Sequence, residues 1–326
     1  MAYLCLRQYE PALAEARKAG VVDPTDFEPP EFEGLVQMVR GETAAAERCF
    51  REMSASSDPF FHTTGQHWLG HLAVAQGRYG QLKGVIRTGL EHARTAKFQP
   101  ELRESELFAM HLLLTYEKLR ARDLAAAYEA SGQALEDAQE TQRPDYIEFA
   151  LQFRGVVLAR MKRFDEAMLV AAKLRETIER TEVPNALRHF HLLQGEIARE
   201  RGDLAGALAS FRTAVSMLPH ESSKFDVHVL FIDALASALA QGGDLEGARA
   251  AYEQIAGMTM GRSRWGDLYA LSYYQLGRIH QSRNERDKAA GSYHRFLELW
   301  SGADPGLPEV ADARKQLSAL GLGPAP

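Results

Sequence analysis

The feature that most constrains this chain is a register. A small residue is followed twelve positions later by alanine and four positions after that by an aromatic, as in Gly195, Ala207 and Phe211, and again in Gly277, Ala289 and Tyr293. Ala236, Ala248 and Tyr252 repeat it with alanine in the first place. Upstream the same register finds Gly155 with Ala167, Thr115 with Ala127, Gly70 with Leu82 in place of the alanine, and Gly34 with Ala46 and Phe50. A first copy is half present at Ala12, with Asp23-Pro24 closing its second helix and its first helix expected to begin before Met1. Equivalent positions are separated by 34, 36 and 45 residues, then by 40 to 41. Self-similarity on this scale implies units that cannot bury an apolar face alone and must stack.

Each unit reads as two helices. Ala, Leu, Glu, Arg and Gln dominate the periodic stretches, and no Asn-Gly or Asp-Gly hairpin separates alternating apolar runs. The expected fold is therefore all-α, a right-handed superhelix of antiparallel helix pairs with about eight units. A small residue on the first helix and alanine on the second let the pair approach closely, and the aromatic is expected to fill the gap towards the neighbouring unit. Turn signals fall where hairpins need them, at Gln76-Gly77-Arg78, Arg201-Gly202-Asp203 and Gly242-Gly243-Asp244, while Pro100, Pro144, Pro184 and Pro219 fall between units. The whole of 1–326 is expected to be one solenoid, with units near 1–26, 27–58, 59–98, 101–141, 143–182, 185–220, 223–260 and 264–301. A capping helix is expected over 307–320, and the terminal Gly-Pro-Ala-Pro should fray.

These residues resemble the tetratricopeptide repeat, and Arg188 to Pro219 matches its pattern best, with Gly195, Ala198, Ala207, Phe211, Ala214 and Pro219 in place. Thr115 and Ala236 depart from the glycine, Ser131 and Ala171 from the aromatic, and most periods exceed the family's 34 residues. The ending from Tyr293 to Leu317 resembles the close of tetratricopeptide regions fused to bacterial serine/threonine kinases or winged-helix regulators. In the family, first helices line a groove that takes a peptide or protein. Carried over, that implies His67, His71, Tyr116, Arg120, Gln152, Arg160, His189, Glu196, Arg199, Asp233, Tyr274, Arg278 and Gln281 as groove residues. The resemblance implies a non-catalytic interaction module or scaffold, the sensory part of a bacterial regulator. The alternative is a regulatory domain that binds a small signalling molecule or signal peptide.

Chemistry-bearing motifs are few. His67-Trp68-Leu69-Gly70-His71 sets two histidines four apart, one face of a helix, but Trp68 stands where a metalloprotease helix carries its glutamate. A zinc site there would need a third protein ligand, and the nearest in sequence is His62, five residues before His67 and at or before the helix start. The expectation is no metal and no cofactor, with Leu69-Gly70 as a packing pair. Kinase loops, GxSxG and GxxxxGK[ST] are absent, which argues against an enzyme. With 44 acidic against 38 basic residues the net charge of -6 favours neither nucleic acid nor anionic membrane. Two isolated cysteines, Cys5 and Cys49, suit a reducing compartment, and the expected location is cytoplasmic. Leu4 and Leu6 are expected to lack full partners, an edge that favours self-association.

Overall fold

The computed structural model describes residues 2–22, 28–95, 100–181, 183–221 and 226–321. Asp23-Pro24 and the terminal Gly-Pro-Ala-Pro lie outside the described residues. Among the described residues every regular element is helical. The helices are α1 (Ala2–Cys5), α2 (Tyr9–Val22), α3 (Glu28–Arg40), α4 (Thr43–Ser54), α5 (Pro59–Ala75), α6 (Tyr79–Thr95), α7 (Pro100–Arg120), α8 (Leu124–Glu140) and α9 (Pro144–Arg160). They continue as α10 (Phe164–Thr181), α11 (Leu187–Glu200), α12 (Leu204–Ser216), α13 (His228–Gln241), α14 (Leu245–Ala256), α15 (Gly266–Ser282), α16 (Arg286–Leu299) and α17 (Pro308–Ala319).

The repeat is written into the backbone of the turns. Each hairpin, from α1–α2 to α15–α16, carries one residue in the left-handed region: Arg7, Gly41, Gly77, Arg122, Lys162, Gly202, Gly243 and Asn284. Each lies five residues before the register position occupied by Ala12, Ala46, Leu82, Ala127, Ala167, Ala207, Ala248 and Ala289. Glycine takes this conformation without a Cβ clash, whereas other L-residues adopt it at a cost of about 1–2 kcal/mol. The next helix is then capped by aspartate where one follows: Asp123, Asp203 and Asp244 accept from the backbone N–H of Ala126 (3.1 Å), Gly206 (2.9 Å) and Gly247 (2.9 Å).

The aromatic does a different job from the one expected. A Cβ on Gly195 would lie 2.4 Å from Phe211 Cε1, and one on Gly277 2.6 Å from Tyr293 Cε1, so the ring sits on the glycine of its own unit. Where the aromatic is missing, the following unit supplies the filling. Ala171 stands in for the aromatic opposite Gly155, and there Leu193 of α11 closes in, 2.5 Å from where a Cβ would be. Ile86 stands opposite Gly70, and Leu113 of α7 comes to 2.7 Å in the same way. Close packing leaves no room for a void of that size, so a lost ring is replaced by a neighbour's side chain.

The chain divides into two compact units. Residues 50–70 and 82–220 form one, termed the middle unit here, in which α7 to α12 stack as successive hairpins. Its core includes Leu151, Leu158, Leu174, Ile178, Leu193 and Ile197. Residues 1–49, 71–81 and 221–326 form the other, the terminal unit, built from both ends of the chain. A repeat stack touches only sequence neighbours, yet here Arg262 donates to Val39 O at 2.8 Å and Trp300 Nε1 to Ala75 O at 3.1 Å. Asp304 accepts from Gly80 N–H at 2.7 Å, and Tyr79 O–H donates to Asp267 at 3.0 Å. These contacts alter the expectation for the amino end. Leu4 is fully buried with Leu13, Val36, Val39 and Met260, while Leu6 is exposed. Apolar surface at Leu4 is thus covered by a distant segment of the same unit. At the other end α17 packs Ala313 and Leu317 against the cluster of Tyr274, Tyr293 and Phe296.

Candidate binding surface

In the middle unit α7, α9 and α11 are the first helices of three consecutive hairpins, and polar side chains interrupt their apolar faces. His189 on α11 donates from Nδ1 to Gln152 Oε1 on α9 at 2.5 Å, since that oxygen can only accept. Phe149 covers the imidazole at 5.0 Å. Burial, helped by the neighbouring Arg188 charge, holds the His189 pKa well below its ordinary value, so the ring is neutral. One helical turn or two further on, Glu196 is met by Arg199 of its own helix and by Arg160 of α9 at 3.6 Å. Arg160 also reaches Glu200 at 3.1 Å, and Lys162 closes the group on Glu200 at 2.7 Å. Glu196 is buried and Arg160 is 44% exposed, so the network runs from the interior to an open guanidinium edge. Tyr116 is buried and Arg120 half-buried on α7.

The family pattern pointed to neither Glu200 nor Lys162. Glu200 lies one turn beyond Glu196, and Lys162 is the left-handed turn residue, a position the repeat pattern assigns to geometry. A second basic feature, also absent from that pattern, lies between α8 and α9. Arg154 sits 3.5 Å over the Tyr128 ring and donates to Ser131 Oγ at 3.1 Å, and Arg163 flanks the same ring at 4.5 Å.

In the terminal unit Tyr274 and Gln281 are engaged internally. Tyr274 O–H donates to Asp312 of α17 at 2.8 Å, and burial followed by this bond pushes its pKa up to about 12. Gln281 donates to Gln316 of α17 at 2.9 Å and accepts from Tyr293 O–H at 2.8 Å. Arg278 is exposed, with its guanidinium 5.8 Å from the Tyr274 ring. Helix α17 therefore meets α15 as the first helix of a further unit would. Asp233 is half-buried on α13.

The two histidines of His67-Trp68-Leu69-Gly70-His71 have different aromatic neighbours. His71 is buried with its ring edge-on to Trp265 at 5.3 Å in the terminal unit. His67 belongs to the middle unit and stands edge-on to Trp68 at 5.4 Å. His62 has other neighbours. Among the described residues the one group of three metal-ligating side chains is His62, His92 and Glu106.

Neither a protein-family model nor a curated protein matches the sequence. Solved structures do match in fold. The chain is similar to NprR in complex with its cognate peptide NprX, with a TM-score of 0.55 and 14% identity over 97% of this chain and 98% of that one. It is similar to a Rap protein complexed with Competence and Sporulation Factor, with a TM-score of 0.54 and 12% identity over 97% and 96% of the two chains. A signal transduction ATPase from Pyrococcus horikoshii with a tetratricopeptide repeat sensor matches with a TM-score of 0.50 and 12% identity, over 91% of this chain and 44% of that one. The fold is an all-helical repeat of the tetratricopeptide type. No helix among the described residues is long and apolar enough to cross a membrane.

Proposed function

We propose that this protein is a non-catalytic interaction module whose middle unit binds a peptide or protein along α7, α9 and α11. The observation that carries the reading is a pair of cross-helix polar groups between α9 and α11, Gln152 with His189 and Glu196 with Arg199 and Arg160, each held in place by its own partners. Buried ionic groups do little for stability compared with apolar packing of the same volume, so their presence fits a recognition role. Side chains already fixed by one another lose little freedom on binding, and arginine and tyrosine are frequent anchors at interfaces. The NprR and Rap structures, each solved with a bound peptide or factor, support the narrower reading of a receptor for a short signal peptide, the sensory part of a bacterial cytoplasmic regulator.

The test is selection from a random peptide library displayed on phage, followed by fluorescence anisotropy on the enriched sequences. Arg160→Ala and Arg120→Ala should each weaken binding about tenfold, equivalent to about 1.4 kcal/mol. Arg175→Ala, on the second helix α10 and paired to Glu179, should leave it unchanged. No enrichment, or equal losses at all three positions, overturns the proposal.

A further inference from the structure

Three side chains in the middle unit meet where α5 begins, α6 ends and α7 begins, and the interaction reading leaves them without a role. They are His62, His92 and Glu106. One ligating atom from each lies within 4.8 Å of the other two. The His62 and His92 rings are 3.6 Å apart between centroids, and His92 Nδ1 is 3.3 Å from Glu106 Oε2. Four ligands placed tetrahedrally at about 2.0–2.1 Å from a metal are about 3.3 Å from one another. The His92–Glu106 separation already has that value, and it is long for a charge-assisted hydrogen bond.

The polar accounting points the same way. Glu106 is fully buried, its Oε1 meets no hydrogen-bond donor, and among the described residues its one ionisable contact is His92. The Thr63 hydroxyl beside it already donates to Pro59 O at 2.8 Å. His62 Nε2 is likewise buried without a partner. The Ser54 backbone lies beside the ring and favours a ring N–H donor. Metal-bound histidines are oriented in this way, one nitrogen on the ion and the other donating to a carbonyl. A buried carboxylate is costly to keep charged, and a bound cation would compensate it.

We infer that His62, His92 and Glu106 bind one first-row divalent transition-metal ion of the zinc class, leaving a coordination position for water or an external ligand. Imidazole with a single carboxylate suits Zn2+, Co2+ or Ni2+, whereas Mg2+ and Ca2+ require oxygen ligands. The site uses none of the residues assigned to peptide binding, and zinc binding is read independently of peptide binding.

The experiment is calorimetry of the metal-stripped full-length chain with ZnCl2, and with MgCl2 as the hard-cation control. One equivalent of Zn2+ should bind, and Mg2+ should not compete. His62→Gln and His92→Gln should each weaken binding at least about tenfold, while His67→Gln should not change it. The chain has 11 histidines, so this contrast separates the site from adventitious binding. Glu106→Gln keeps side-chain volume and removes the buried acid, so it should fold, as circular dichroism in chelator would verify, and still lose affinity. Co2+ should give the visible absorption of a four-coordinate nitrogen and oxygen site that Glu106→Gln abolishes. Absence of a one-to-one Zn2+ event, or one that survives in His62→Gln and His92→Gln, would overturn the assignment.

Discussion

Replacing Gly195 by alanine adds one methyl group at the closest helix contact in the best-matching repeat. The new Cβ would stand 2.4 Å from Phe211 Cε1, 2.5 Å from Cδ1 and 2.9 Å from Cζ. Phe211 is itself fully buried, so the ring can move only by displacing its own neighbours. Overpacking of this kind costs about 1–3 kcal/mol, while alanine in place of glycine within a helix returns about 1 kcal/mol. The expected net effect is a loss of up to about 2 kcal/mol. Gly291, inside α16 with nothing within 4 Å of its Cβ position, provides the control, because Gly291→Ala should stabilise by about 1 kcal/mol. Urea melts at unchanged m-value give both numbers. Adding Phe211→Leu to Gly195→Ala should recover part of the loss through coupling between touching residues. If Gly195→Ala is stabilised as much as Gly291→Ala, the helices do not meet there and the packing register is wrong.

The left-handed turns give a sign-reversing pair: Gly202→Ala, with open space around its Cβ position, should cost about 1 kcal/mol, whereas Arg122→Gly should be neutral or stabilising in the same melts. His189 is neutral in the native state because burial opposes its proton, while the unfolded chain takes that proton up below about pH 6.5. Stability should therefore fall as pH drops from 7 to 5, and His189→Asn should flatten that slope in denaturant titrations; an unchanged slope would count against a buried neutral ring. Leu317→Ala in α17 empties a fully buried position and should cost about 2–5 kcal/mol, with faster amide exchange in α16 as the local signature.

The fold was legible because its determinants are local. Gly195, Ala207 and Phe211 announce a close hairpin wherever they recur, and Gly77, Gly202 and Gly243 mark turns in their own identities. Arg122, Lys162 and Asn284 occupy the same left-handed position without glycine, and only the structure reveals them. Nor could the sequence show that Leu4 meets Met260 or that Trp300 reaches Ala75, since a repeat pattern encodes contacts between neighbours alone. The His67–His71 spacing is visible in the sequence because its histidines are adjacent on one helix. Glu106 joins His62 and His92 from three different helices, a convergence that sequence spacing does not signal.

Hydrogen exchange with a library-selected peptide shows most directly whether the first helices of the middle unit receive a partner. Saturating peptide should slow amide exchange in α7, α9 and α11, centred on the segments around Gln152, Arg160 and Glu196, with little change in α8, α10 and α12. Slowing confined to those second helices, or to the terminal unit, would contradict binding at the first helices.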